Sequence, residues 1–141
     1  GEHSDTLLIG ESEISHNTAG EHGGGLFLVG NIQARNNEIH QNEAGFAGGG
    51  IYMKRYGLDG ETPRSRLTVS GSITENLSGF VGGGIFMDLD TQLECTADIT
   101  GNTAVYRGGG IHAYTREYFT VEEDRVTGNT ARQSPDIYPP A

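Results

Sequence analysis

The chain has no tryptophan, one cysteine, two methionines and four prolines in 141 residues. A lone cysteine excludes an internal disulfide framework, so any fold must hold without covalent staples. Basic residues are also scarce, with 9 Lys and Arg against 19 Asp and Glu and a net charge of −10. That balance disfavours nucleic acid, anionic membranes and polyanionic substrates such as pectin. It favours cations and neutral or basic partners. No apolar run approaches the roughly 18 residues of a membrane span, and no signal-peptide pattern is visible. The chain opens on Gly1, as expected of a mature form or an excised segment. Apolar residues make up 34% of the chain, so its core must be narrow.

Glycine, by contrast, is abundant at 23 residues, and much of it is periodic. Gly-Gly-Gly occurs four times, each time six residues after an asparagine and just before an aliphatic residue: Asn17 to Leu26, Asn42 to Ile51, Asn76 to Ile85 and Asn102 to Ile111. A degenerate fifth copy runs from Asn129 to Ile137, with Pro135 where the glycines would start. The asparagines are 25, 34, 26 and 27 residues apart. Self-similarity at such a period marks a repeat architecture.

Three short segments recur in each unit. One contains Ile14, Ile39, Ile73, Ile99 or Val126, three residues before each asparagine. A second starts at Leu26, Ile51, Ile85 or Ile111. The third contains Leu8, Ile32, Leu67, Leu93 or Phe119. Each alternates over a few residues, which is the period of a strand, and no window carries a helical face. The expected fold is all-β: one domain over residues 1–141, wound as a parallel solenoid of about five coils with three short strands per coil. Coils stacked at roughly 4.8 Å give a rod of about 24 Å. The aliphatic residues then form three inward columns. The asparagines turn corners and bond to one another down the stack, and the glycines supply turns and close approach. Cys95 falls inward, in line with Gly10 and Val69. Residues 132–141, with Pro135, Pro139 and Pro140, read as an end cap. The first coil has no comparable cap, which leaves end-to-end stacking or oligomerisation open there.

The strings ISHNTAGEHGGGLFL, ITENLSGFVGGGIFM and ITGNTAVYRGGGIHA resemble the repeats of polymorphic outer membrane proteins and related bacterial surface proteins. The resemblance implies a right-handed parallel β-helix of the pectate lyase-like kind. It also implies export to an extracellular or cell-surface location and an adhesive or ligand-binding role, with a glycan or surface protein as partner.

Two features are candidates for that role. Strand alternation places Phe27, Tyr52, Phe86 and His112 on the outer face, one above another. Four residues after each asparagine, Phe46, Phe80 and Tyr106 form a second stack, with Glu21 and Gln133 at its ends. Exposed aromatic strips suit sugars or protein hot spots. The other feature is the insertion at residues 54–66, whose Lys54, Arg55, Arg64 and Arg66 outweigh Asp59 and Glu61. It carries a net +2 and leaves −12 on the rest. A loop on a regular scaffold is a natural place for specificity.

Other chemistry is thinner. Asp88 and Asp90, or Glu122, Glu123 and Asp124, could offer carboxylates to Ca²⁺, but neither group follows a calcium-loop pattern. No cofactor is expected. The five histidines lack zinc-site spacing. A polysaccharide lyase or glycosidase would have to rest on Asp88, Asp90 and Arg116, and a structural spacer would need no site at all. An outward column of Thr74, Thr100 and Thr127 breaks at His40 and Ser15 and lacks the flanking second Thr column that an ice-binding face would want.

Overall fold

The computed structural model describes residues 6–55 and 65–141. They wind into a parallel β-solenoid of about five coils, with three faces. The long face holds eight strands: Thr6–Gly10, Glu13–Ser15, Asn31–His40, Ser65–Thr74, Thr91–Cys95, Asp98–Thr100, Phe119–Val121 and Val126–Thr127. Beyond the asparagine corner lies a face of four two-residue strands, Thr18–Ala19, Glu43–Ala44, Leu77–Ser78 and Thr103–Ala104. The glycine face holds Leu26–Leu28, Ile51–Met53, Ile85–Met87, Ile111–His112 and Ile137–Tyr138. Every described pairing is parallel, as it must be when each strand meets its counterpart one coil later. Among the described residues there is no α-helix, and no helix is long and apolar enough to cross a membrane.

In the second and third coils, two of the expected three strands fuse into one ten-residue strand. The pairing slips between Ala34 and Asn37, forming a bulge that bends the chain without ending the ladder. Gly71 sits opposite this bulge at φ 102°, and a Cβ there would lie 2.7 Å from the Asn37 backbone nitrogen. Only glycine fits that approach.

Inward columns follow the register. Ile14, Ile39, Ile73, Ile99 and Val126 stack as expected, as do Leu26, Ile51, Ile85, Ile111 and then Ile137. The third column is corrected by one residue: Leu7, not Leu8, pairs with Ile32, Leu67, Leu93 and Phe119. Leu8 pairs with Gln33 on the outer side and is 68% exposed. Three apolar residues in a row left the alternation undecided there, and a slip of one flips the whole strand. Cys95 is buried in line with Ile9, Ala34, Val69 and Val121, so Gly10 is not its neighbour in the stack.

Hydrogen bonds run the length of the asparagine corner. Each Nδ2 donates to the Oδ1 of the next asparagine: 3.0 Å from Asn17 to Asn42, 3.0 Å to Asn76, 2.9 Å to Asn102 and 3.0 Å to Asn129. Each backbone N–H donates to the same Oδ1 at 2.9–3.1 Å. From Asn42 on, the second Nδ2 hydrogen goes back one coil to the carbonyl of Ile14, Ile39, Ile73 or Ile99. The glycine triplets allow this. A Cβ on Gly50 would lie 2.7 Å from the Gly84 carbonyl oxygen and 3.1 Å from Asn76 Nδ2. The third glycine thus makes room for the asparagine ladder.

Candidate functional site

On the outer side of the glycine face the expected rings do stack. Phe27, Tyr52, Phe86 and His112 lie with successive centroids 5.1, 4.9 and 5.2 Å apart and planes within 12°. Tyr138 adds a fifth rung, 4.9 Å from His112. This rung lies beyond the expected four, and its signal in the sequence is Ile137-Tyr138, which repeats the aliphatic–aromatic pair of each earlier coil.

This ladder is mostly not a surface, which corrects the expectation that it is open. Phe86 and His112 are buried, Tyr52 is half-buried, and only Phe27 at the first rung is well exposed. The first glycine of each triplet takes φ between 62° and 71°, a conformation costly for any residue with a Cβ. The turn folds the preceding residues back over the rings, so that Ala47 and Val81 pack with Phe86, Tyr52 and Tyr106 as a second small core outside the coil. Tyr114 closes the other side, edge-on to Phe86 and His112. Strand alternation tells which side of a sheet a ring occupies, but it cannot foresee a cover.

Burial changes the chemistry of these rings. The Tyr52 hydroxyl is pushed up to about 12, first by desolvation and then by the Asp88 carboxylate and Tyr114. His112 is pushed down to about 4 by desolvation, reinforced by the positive charge of Arg107. Its Nδ1 is buried with no hydrogen-bond partner among the described residues. His112 therefore serves as a neutral aromatic rung.

The second ladder is the exposed one. Phe46, Phe80 and Tyr106 stack at 5.0 and 5.2 Å, and Phe46 and Phe80 remain 45% and 39% exposed. Exposed Leu77 and Val105 lie on the neighbouring outward columns. Beside the rings run Gly45 and Gly79, where a Cβ would collide with the carbonyl of the coil before, so no side chain rises there. His22 joins the two ladders at the first coil, against Tyr52 at 4.5 Å and Phe46 at 5.6 Å. Arg107 joins them at the far end. Its guanidinium lies over Tyr106 and Tyr138 at 4.4 and 4.6 Å, and it donates to the Tyr106 hydroxyl at 2.8 Å and to Gln133 Oε1 at 3.2 Å. Gln133 thus bridges to Arg107 instead of forming the last rung after Tyr106. Because the rings cover one another's faces, this strip offers solvent mainly its C–H edges.

The described residues of the insertion lie elsewhere. Lys54 and Arg55 follow the glycine-face strand Ile51–Met53 on the side away from Phe46. Ser65 and Arg66, expected in the loop, are already in the strand Ser65–Thr74, and Arg66 donates to Gln92 on the long face. Arg64 and the central part of the insertion lie outside the described residues. Arg55 is engaged at home. Its guanidinium meets Asp90 at 3.1 Å and its backbone N–H donates to Asp88 at 3.4 Å.

Three of the five carboxylates considered for calcium meet arginines in the same way: Asp90 with Arg55, Glu122 with Arg125 and Glu123 with Arg116. Among the described residues no three His, Cys, Asp or Glu side chains gather as a metal site. Arg116 also donates to the Pro139 carbonyl, so it and the Asp88–Asp90 pair belong to separate contact sets.

No protein-family model, curated protein or solved structure matches the chain.

Proposed function

We propose that the chain is an adhesive module of an extracellular or cell-surface protein, and that it binds through the Phe46–Phe80–Tyr106 strip. The observation that carries this is the exposure of Phe46 and Phe80, with Leu77 and Val105 beside them, on a strongly acidic chain. A contiguous apolar patch exposed on a folded surface is an interaction site by default. The edge-on presentation favours a protein partner over a glycan. Sugar stacking wants open ring faces, whereas ring edges pack against apolar side chains and the faces of other aromatics. Gly45 and Gly79 beside the strip let a partner backbone come close at the second and third coils, and Val105 takes that position in the fourth.

The test is a Phe46→Ser, Phe80→Ser double variant. It is compared with the parent on a glycan array and on a panel of immobilised extracellular proteins. The parent should capture a protein, and the variant should lose at least tenfold in affinity while still melting cooperatively, well above the assay temperature. Equal binding by both, or capture of glycans only, would refute the reading.

A further inference from the structure

The face that carries the exposed strip has its charges sorted by coil. It runs from each asparagine past the ring, over residues 17–22, 42–47, 76–81, 102–107 and 129–133. The first two coils hold Glu21 and Glu43 there, with no Lys or Arg. The third holds no charge. The fourth and fifth hold Arg107 and Arg132, with no Asp or Glu. Glu21, Glu43 and Arg132 are exposed, and the Arg107 guanidinium lies over the Tyr106 ring at the edge of the strip. The chain as a whole carries −10, yet the carboxylates and guanidiniums of this face cancel, with one sign toward each end.

Shape is sorted along the same line. The column beside the rings is bare backbone at Gly45 and Gly79, whereas Val105 rises from it in the fourth coil, 61% exposed. The next outward column reads Glu43, Leu77 and Thr103. Arg132 follows in the fifth coil, between Thr130, which pairs with Thr103, and Gln133, which pairs with Arg107.

We propose that this face docks a second copy of the chain, turned end for end about a two-fold axis that crosses the rod at the third coil. This rests on the reading of the strip as a protein-binding face and names the protein. A closed pair of identical faces must be self-complementary. That axis makes it so, because it sets the first coil against the fifth and the second against the fourth. Glu21 of each copy then meets the coil of the other that carries Arg132. Val105 stands over bare Gly45, Phe46 meets Tyr106, and Phe80 and Leu77 lie at the axis. The parallel arrangement sets each glutamate and each arginine against its own copy, and like charges facing across an interface are costly. Glu75, at the corner before Asn76, lies at the rim of the contact, where water and salt screen it from its counterpart. The face is about 24 Å long and about 10 Å wide, roughly 240 Å² per copy against the roughly 800 Å² of a standard interface. The pair is therefore weak, and it tightens where many copies are held together.

The experiment follows self-association of the whole chain by sedimentation equilibrium, from about 10 µM to about 2 mM, the weak range that suits so small a contact. The parent should form a dimer and nothing larger. The Phe46→Ser, Phe80→Ser double variant should lose at least tenfold in dimer affinity. Glu21→Arg and Arg132→Glu change exposed side chains and leave the core untouched. Each alone should lose at least fivefold, and an equimolar mixture of the two should regain the parent's affinity within twofold, since both ends of the mixed pair then match. A monomer throughout, open-ended assembly, indifference to the charge variants, or tighter pairing of Glu21→Arg with the parent, which marks the parallel arrangement, would each overturn the proposal. A monomeric parent that still captures another protein through Phe46 and Phe80 overturns the pairing and leaves the strip as a binding face. A monomeric parent that captures nothing overturns both.

Discussion

Asp136 Oδ1 accepts hydrogen bonds from both the backbone N–H and the side-chain Nδ2 of Asn129, each at 3.1 Å. It stands where a sixth asparagine would. Replacing it with leucine would leave the Asn129 backbone N–H without its acceptor, at about 1–3 kcal/mol for such a group, while Nδ2 keeps the carbonyls of Ile99 and Thr127. Asp136→Leu should therefore lower stability by about 1–3 kcal/mol and speed exchange first in residues 126–138. Asp136→Asn keeps an acceptor and should cost under about 1 kcal/mol. Denaturant titration with hydrogen exchange checks both.

Acid should weaken the rod through His112. Its folded-state pKa of about 4 lies below the ordinary 6.5, so the unfolded chain binds the extra proton more readily between these values. Stability from this group is complete above pH 6.5 and falls as pH drops toward 4, by about 3 kcal/mol at 1.36 kcal/mol per pKa unit. The groups facing the ring are Arg107, which adds to the effect, and the rings of Phe86, Tyr114 and Tyr138. Other residues titrate here too. The difference between parent and His112→Phe, measured by denaturation at pH 7.5 and 4.5, isolates the contribution; the variant should lose less on acidification.

The two ladders should separate under mutation. Phe86→Ala empties a buried site and should cost about 3–5 kcal/mol. Phe80→Ser acts at a partly exposed ring and should cost about 1 kcal/mol or less while reducing partner capture. Thermal melts set beside the binding assay distinguish the supporting ladder from the presenting one.

Gly50→Ala should destabilise by about 2–4 kcal/mol, because the new Cβ would press on the Gly84 carbonyl and on Asn76 Nδ2. Gly20→Ala, with nothing within 4 Å of its Cβ, should be neutral or slightly stabilising. Paired denaturation curves check the contrast.

Much of this architecture was legible from residues alone. Asn17, Asn42, Asn76, Asn102 and Asn129 announced the corner, and the isoleucines three positions earlier announced the core, because a stacked coil forces the same residue into the same environment each time. Local pattern is ambiguous at Leu7, Leu8 and Ile9, which are all apolar, and only pairing to Ile32 decides which point inward. A cover formed by another segment is equally invisible to strand alternation. Ala47 and Val81 are unremarkable residues in sequence, yet they turn Phe86 from a surface ring into a core ring. Asp136 was hidden for a different reason. It reaches the corner from a degenerate coil seven residues after Asn129, at no repeated position.

Cys95 lies in the fourth coil, 4% exposed, with its thiol pushed up to about 11 chiefly by desolvation. Almost no thiolate exists near neutral pH, so an alkylating reagent cannot attack it while the coil is shut. Each modification event must then follow an opening of the stack. The rod carries its own clock: the rate at which this one sulfur is labelled measures how often its middle comes apart, without any engineered probe.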